Sequence, residues 1–321
     1  MTWLVTGGAG YIGAHVVNAF RAADLPVVVL DDLSTGFHTF VPSGVPFAMG
    51  SVLDTEFVRG VIRENDVTGV VHVAGYKYAG VSVRRPVHTY QQNVTGTACI
   101  LAAMAEEGVG AIVFSSSAAV YGTPQVDLVT EDTLTAPESP YGESKLVAEW
   151  LLRDQERATG LKQTSLRYFN VVGSSAPGVY DTSPHNLFPL VFDALAEGRT
   201  PVINGVDYPT PDGTCVRDYI DVGDLAASHV AAARVLAGGG TLRPVYNLGS
   251  GTGSSVREIM SAAASVTGID FEPSIGPRRP GDPARIVASG ELAAQDLDWR
   301  MRQSLTEMVA SAWAERQAHA G

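Results

Sequence analysis

Short apolar runs rich in β-branched residues alternate along the chain with longer stretches in which apolar residues return every three or four positions. Residues 3–6, 27–30, 69–73 and 111–114 have the length and composition of strands buried on both faces. The segments between them are helix-length. Residues 141–157 form the strongest helical pattern, and a further strand follows at 164–168. This alternation predicts an α/β fold built on a parallel, doubly wound sheet of the Rossmann type, with helices on both faces.

After Asn170 the texture changes, because residues 173–184 are rich in Gly, Ser, Pro and Asp and lack periodicity. The main domain junction is expected there. Residues 1–170 then make a Rossmann domain, to which the helix and strand patterns near 216–248 return. Residues 171–215 and 249–315 make a smaller α/β domain that lines a cleft, with Pro-rich loops at 208–213 and 276–283. No internal repeat is visible.

The 321 residues suffice for two such domains, and 45% hydrophobic with 17% charged residues is an ordinary globular balance. A net charge of -12 argues against a nucleic-acid surface, so an anionic ligand must meet a local positive site. Cys99 and Cys215 have no C-x-x-C partner, which fits a reducing compartment and no thiolate zinc site. The N-terminus runs straight into glycines with no signal-peptide pattern, and no apolar run approaches the ~20 residues that span a bilayer. The expectation is a cytoplasmic protein without a membrane partner.

The first strand ends in Gly7-Gly8-Ala9-Gly10-Tyr11-Ile12-Gly13, ahead of an apolar helical run at 16–20. Glycines at this spacing allow a tight turn, close approach of backbone N–H groups to a pyrophosphate, and close helix–strand packing, while the helix N-terminus adds partial positive charge. An ordinary strand–helix turn is the plainer alternative. Asp31 at the end of the next strand favours the dinucleotide: it can accept from ribose hydroxyls and would repel a 2′-phosphate, so NAD is expected rather than NADP. The loop 31–40 carries no Lys or Arg.

Ser139-Pro140 reads as a helix start before Tyr141-Gly142-Glu143-Ser144-Lys145. Tyr141 and Lys145 then share a face, and the ammonium is expected near the phenol, favouring phenolate. A tyrosine base needs such help at neutral pH. Ser117, just past the strand 111–114, lies at the carboxyl end of the sheet, where its hydroxyl can bridge substrate and Tyr141. Taken singly, a Y-x-x-x-K pair is a common surface pattern and a serine run a common loop; their order after the glycine fingerprint makes the Ser–Tyr–Lys set.

With these residues the sequence resembles the UDP-glucose 4-epimerases, of the extended short-chain dehydrogenase/reductase superfamily. The resemblance runs through GGAGYIG, Leu30-Asp31-Asp32-Leu33-Ser34, Gly75-Tyr76-Lys77, Asn93-Val94-Thr95-Gly96-Thr97, FSSSAAVYG, SPYGESK, RYFN, DYPTPDGTCVRDYIDVGDLA and RRPGDPA, from Trp3 to Trp299. It implies a Rossmann domain that holds NAD throughout turnover and a C-terminal domain that grips a UDP-sugar. It further implies that Tyr141 takes the 4-hydroxyl proton as hydride leaves C4, that the 4-keto sugar turns over, and that hydride returns to its opposite face.

By the same resemblance Lys145 orients the nicotinamide ribose and Ser117 binds the sugar oxygen. The cofactor cradle comprises Gly7, Gly10, Tyr11, Ile12, Gly13, Asp31, Asp32, Leu33, Ser34, Gly36, Ser51, Val52, Val73, Ala74, Gly75, Lys77, Asn93, Ser115, Tyr141, Lys145 and Phe169. The sugar nucleotide falls to Lys77, Ser117, Tyr141, Asn170, Asn186, Leu187, Asn204, Arg217, Arg279, Asp282 and Ile286, with the two arginines on the diphosphate and Asp282 on the uridine ribose. Read without the resemblance, Arg217 beside Asp218 is an ordinary ion pair and Arg278-Arg279 a solvated loop.

The chain departs from the family pattern at Ser51, where an Asp usually meets the adenine, and at Asn204, where an aromatic often lies on uracil. Val81 stands for a Glu, and His185 for the first Asn of an Asn-Asn pair. Ile286 occupies the position where bulk governs entry of an N-acetylated sugar, so a UDP-N-acetylhexosamine or a pentose stays open as substrate; a UDP-glucuronate decarboxylase or epimerase, which differs in a few carboxylate-binding residues, stays open as well. A 4,6-dehydratase is disfavoured by Ala118-Ala119, where such lyases carry an Asp-Glu pair. A non-catalytic NAD sensor is disfavoured by the intact Ser–Tyr–Lys set. The seven histidines form no metal motif and read as surface or satisfied core residues. Apolar stripes in 94–104 and 146–152 have surface to spare for a partner helix, and the resemblance implies a homodimer.

Overall fold

The computed structural model describes residues 1–279 and 282–319. The strands are β1 (Thr2–Thr6), β2 (Val27–Asp31), β3 (Phe47–Met49), β4 (Val67–His72), β5 (Ala111–Ser115), β6 (Lys162–Tyr168), β7 (Asn170–Val172), β8 (Val202–Asn204), β9 (Val216–Arg217), β10 (Tyr219–Asp221), β11 (Val245–Leu248), β12 (Ser254–Ser255), β13 (Ser274–Gly276) and β14 (Arg285–Ile286). The helices are α1 (Tyr11–Ala22), α2 (Thr55–Glu64), α3 (Ala79–Ser82), α4 (Pro86–Tyr90), α5 (Gly96–Glu106), α6 (Pro140–Thr159), α7 (Leu187–Ala196), α8 (Val222–Ala237), α9 (Val256–Thr267), α10 (Glu291–Leu297) and α11 (Leu305–Ala318).

Seven strands form one parallel sheet in the order β11, β6, β5, β4, β1, β2, β3. Winding reverses between β1 and β4, the switch point at whose carboxyl end open α/β sheets bind ligands. Successive strand residues face opposite ways. Trp3, Val5, Val27, Val29 and Val71 therefore pack with Val16, Val17 and Phe20 of α1 and Leu225 of α8. On the other face, Leu4, Val28, Leu30 and Val70 meet Val61 and Ile62 of α2, Ile100 and Met104 of α5, and Leu152 of α6. A separate core joins Phe188, Val191 and Phe192 of α7 to Ile259 and Met260 of α9 and Met308 and Val309 of α11.

The helix that carries Tyr141 and Lys145 is capped as its sequence requires. The Ser139 hydroxyl accepts from the Gly142 N–H at 3.2 Å, Pro140 opens α6, and Gly160 closes it in the left-handed conformation. Residues 173–184 contain neither helix nor strand, as their composition predicts.

Three expectations about the elements are corrected. The fourth strand is Val67–His72 rather than 69–73, because the N–H groups of both Val73 and Ala74 turn onto the Thr6 carbonyl, at 3.2 and 3.0 Å. The segment 216–236 begins as β9 and β10, and α8 starts only at Val222, where the Asp221 carboxylate accepts from Gly223 and Asp224. In the loop 276–283, Gly276 ends β13, which pairs in parallel with β8, and Pro280 and Gly281 lie outside the described residues. The edge strand β3 has no pattern of its own in a Pro- and Gly-rich stretch; pairing with β2 creates it.

Candidate active site

A cavity of about 810 Å³ opens at the switch point and continues between the sheet and the second half of the chain. Its first wall is the glycine loop after β1. Gly7 has φ +72°, and a side chain there would come within 2.7 Å of the Ala74 nitrogen, which starts the facing loop after β4. A side chain at Gly13 would fall 2.0 Å from the Gly7 carbonyl oxygen, so the loop and α1 are held in contact by the missing Cβ. Gly7, Gly10, Tyr11, Ile12 and Gly13 all line the cavity, as do Asp31, Asp32, Ser34, Val52, Val73, Ala74, Gly75, Lys77 and Phe169.

Asp31 is buried at the tip of β2 and accepts from the Ala9 N–H at 3.0 Å and the Leu33 N–H at 2.8 Å. Burial pushes its carboxyl up, and those two hydrogen bonds oppose the shift. Each oxygen keeps a free lone pair for a ribose hydroxyl. Leu33 has φ +58° and serves through its backbone, while Gly36 backs onto Ala9; neither lines the cavity. Ser51 is likewise set back, its hydroxyl accepting from the Leu53 N–H at 3.2 Å.

Tyr141 and Lys145 also line the cavity. Contrary to expectation, the phenol of Tyr141 is pushed up, by burial, and what draws it down is a hydrogen bond with the Ser117 hydroxyl. The ammonium of Lys145 is turned to the strand end, where it donates to the Ser115 carbonyl at 2.9 Å, 4.8 Å from the centre of the Phe114 ring. Burial lowers Lys145 to about 8, and the Glu149 carboxylate one turn along α6 resists this. Ser115 and Ser117 do not line the cavity. Ser115 instead gives its hydroxyl to His229 at 2.8 Å, and the Ser117 oxygen caps the turn 118–121 by accepting from Ala119 at 3.1 Å.

Asn93 is also set back from the cavity. Its amide oxygen accepts from the Tyr76 N–H at 2.6 Å, and its nitrogen donates to the Tyr76 carbonyl at 3.1 Å and to Ser144 at 2.8 Å. It fastens the loop after β4 to α6. Glu149 accepts from Ser116 at 2.5 Å and pairs bidentately with Arg167, which in turn donates to Tyr121 at 2.8 Å. Sequence patterns offered no sign of this buried network, because its members belong to different elements. His72 is a satisfied core residue between Thr6 and Thr97, and burial lowers it to about 3.

The far wall contains Asn170, Asn186, Leu187, Asn204, Arg217, Arg279 and Asp282. Asn170 donates to the Asp218 carbonyl at 3.0 Å, and Asn186 to the Asp181 carboxylate at 2.7 Å. Arg217 does not pair with Asp218, whose carboxylate accepts from the backbone of Ser250 and Ala288. Its Nη2 faces the Asp282 carboxylate at 3.5 Å and, though buried, has no hydrogen-bond partner among the described residues. A buried, unpartnered guanidinium nitrogen opening on a cavity is a receptor for an anion. Arg278 stacks on Tyr208 at 4.1 Å and pairs with Asp207, leaving Arg279 to the cavity. Ile286, partly buried on β14, packs against the core and does not line the cavity. Tyr78, Arg85, His88, Gln92, Tyr168 and Tyr219 line it without having been expected there.

The NAD dependent epimerase/dehydratase family profile matches residues 3–249, most of the chain. The chain belongs to that family. Within the family, the UDP-glucose 4-epimerase of Streptomyces lividans is 42% identical, over 99% of this chain and 96% of that one. A crystal structure of a UDP-glucose 4-epimerase superposes with a TM-score of 0.96 at 40% identity, covering 100% of this chain and 98% of the other. The family member from Stenotrophomonas maltophila, a UDP-glucose-4-epimerase with bound NAD and formylated UDP-arabinopyranose, has a TM-score of 0.94 at 36% identity, covering 100% and 99%. Among the described residues no helix is long and apolar enough to cross a membrane, and no group of His, Cys, Asp and Glu suits a metal ion.

Proposed function

We propose that the protein is an NAD-dependent UDP-glucose 4-epimerase, interconverting UDP-glucose and UDP-galactose. The observation that carries this reading is that one cavity joins the glycine loop, the Tyr141 phenol and the unpartnered Nη2 of Arg217. A dinucleotide, a hydroxyl to be oxidised and a diphosphate thus have adjoining places. The glycine loop and Asp31 would hold NAD, which when bound supplies a reversible hydride acceptor.

Tyr141 takes the proton of the sugar 4-hydroxyl as C4 loses hydride, and returns it when the 4-keto sugar is reduced on its opposite face. Ser117 holds the phenol oxygen, and Lys145, anchored on Ser115, keeps α6 against the end of β5. Arg217 and Arg279 offset the diphosphate inside an acidic protein, with Asp282 beside them for the uridine ribose. Residues 1–170, with 216–248, form the NAD domain, and 171–215 with 249–315 the UDP-sugar domain.

The protein works in the cytoplasm, in galactose metabolism, as a homodimer. Exposed Val87 on α4 and Trp150 on the adjacent α6 support a second copy packing there, and the free thiols of Cys99 and Cys215 suit a reducing compartment. The deciding experiment gives purified protein UDP-galactose without added NAD and follows UDP-glucose, with Tyr141→Phe alongside. Conversion by the native protein and its collapse in the variant are expected; no conversion, or an unimpaired variant, overturns the assignment.

A further inference from the structure

The sugar end of the cavity contains a pair that the family motifs do not explain. Tyr78 comes from the loop after β4 and His185 from the loop before α7, and their rings meet edge to face, 5.2 Å between centroids at 82°. Both line the cavity. Tyr78 caps α3, whose Ser82 accepts the Tyr141 N–H at 3.2 Å, so this ring is fixed to the same framework as the catalytic phenol. Burial and then the charge of Asp181 push the Tyr78 phenol up, and Asp181 lines the same cavity. Asp181 also receives the Asn186 amide, next in sequence to His185. The contact therefore ties the first half of the chain to the second across the cavity.

We infer that the Tyr78–His185 pair sets the size of sugar the enzyme can invert, favouring UDP-sugars that bear only hydroxyls over those with an acetamido group. The inference rests on the epimerase reading. Inversion through a keto sugar requires the ring to show both faces to one hydride site. The cavity must clear the sugar in two orientations and in the sweep between them. Two aromatic rings bridging the walls take space from that sweep, and an acetamido group in place of a hydroxyl enlarges the body that has to turn. The penalty therefore falls on kcat for the larger sugar, and not on its KM alone. Two flexible or small side chains here would leave the walls free to part.

The test compares kcat and KM for UDP-galactose and UDP-N-acetylgalactosamine in the native enzyme, Tyr78→Ala, His185→Ala, the double variant and Tyr78→Phe. Each alanine variant is expected to raise the acetamido-to-hydroxyl ratio of kcat/KM by about tenfold or more, mainly through kcat of the acetamido sugar. The double variant should gain little beyond either single one, since each already opens the pair. Tyr78→Phe keeps the ring and should keep the native ratio. An unchanged ratio in alanine variants that still invert UDP-galactose overturns the inference, as does a Tyr78→Phe ratio equal to that of Tyr78→Ala. His185 is exposed on its loop, so His185→Ala decides the matter even where Tyr78→Ala fails to fold. A native protein inactive on both sugars is a different failure: it removes the epimerase reading itself.

Discussion

The ammonium of Lys145 donates to the carbonyl of Ser115 at 2.9 Å, binding α6 to the end of β5 inside the protein. The charge is almost wholly buried, and its pKa falls to about 8. The unfolded chain holds its lysine proton to about 10.4. Below pH 8 both states are protonated and the folded one bears the full desolvation cost, on the order of 3 kcal/mol. Between about 8 and 10.4 the unfolded state binds more protons, so this group makes stability rise with pH. Lys145→Met should therefore have a higher Tm than the native protein at pH 7, with the gap closing as pH approaches 10, while turnover is lost. Tm against pH for both proteins checks it; a gap that widens with pH contradicts it.

Arg217 presents to the cavity a buried nitrogen that has no hydrogen-bond partner among the described residues. A charge-assisted hydrogen bond to a diphosphate is worth roughly 1.5–3 kcal/mol. Arg217→Met is expected to raise KM for UDP-galactose about 10- to 100-fold with a smaller change in kcat. Steady-state kinetics decide it, and a variant that loses kcat at unchanged KM would assign the arginine to the chemistry instead.

The Glu149–Arg167 pair is buried, with side chains 5% and 6% exposed. Removing one partner strands the other charge, at a cost of about 3–5 kcal/mol. Glu149→Gln should unfold at clearly lower denaturant, and Glu149→Gln combined with Arg167→Met should recover most of the loss. If the double variant is as unstable as the sum of the single ones, the pair is not the unit described.

Two glycines separate a structural requirement from mere tolerance. A Cβ at Gly13 meets the Gly7 oxygen at 2.0 Å, whereas a Cβ at Gly60, inside α2, meets nothing within 4 Å. Gly13→Ala should cost more than about 3 kcal/mol and release the dinucleotide. Gly60→Ala should stabilise by about 1 kcal/mol through helix propensity. Chemical denaturation and retention of NAD on gel filtration measure both.

The sequence by itself determined the central strands of the parallel sheet, though not its edge strand β3, the glycine loop with Asp31 behind it, and the capped helix that presents Tyr141 and Lys145. These are local properties. Apolar spacing, a Ser-Pro cap and glycines every third residue act on neighbours within a few positions, so their pattern lies on the chain itself. Tertiary structure alone decided that Lys145 turns to Ser115 and that burial raises the Tyr141 phenol. It alone packed Ile286 against the core, left Arg217 Nη2 without a hydrogen-bond partner among the described residues, and brought Tyr78 against His185. Each of those outcomes depends on groups far apart in the chain meeting where water is excluded. Sheet order and the packing of crossover helices set such meetings, and burial then fixes the price of every charge found there.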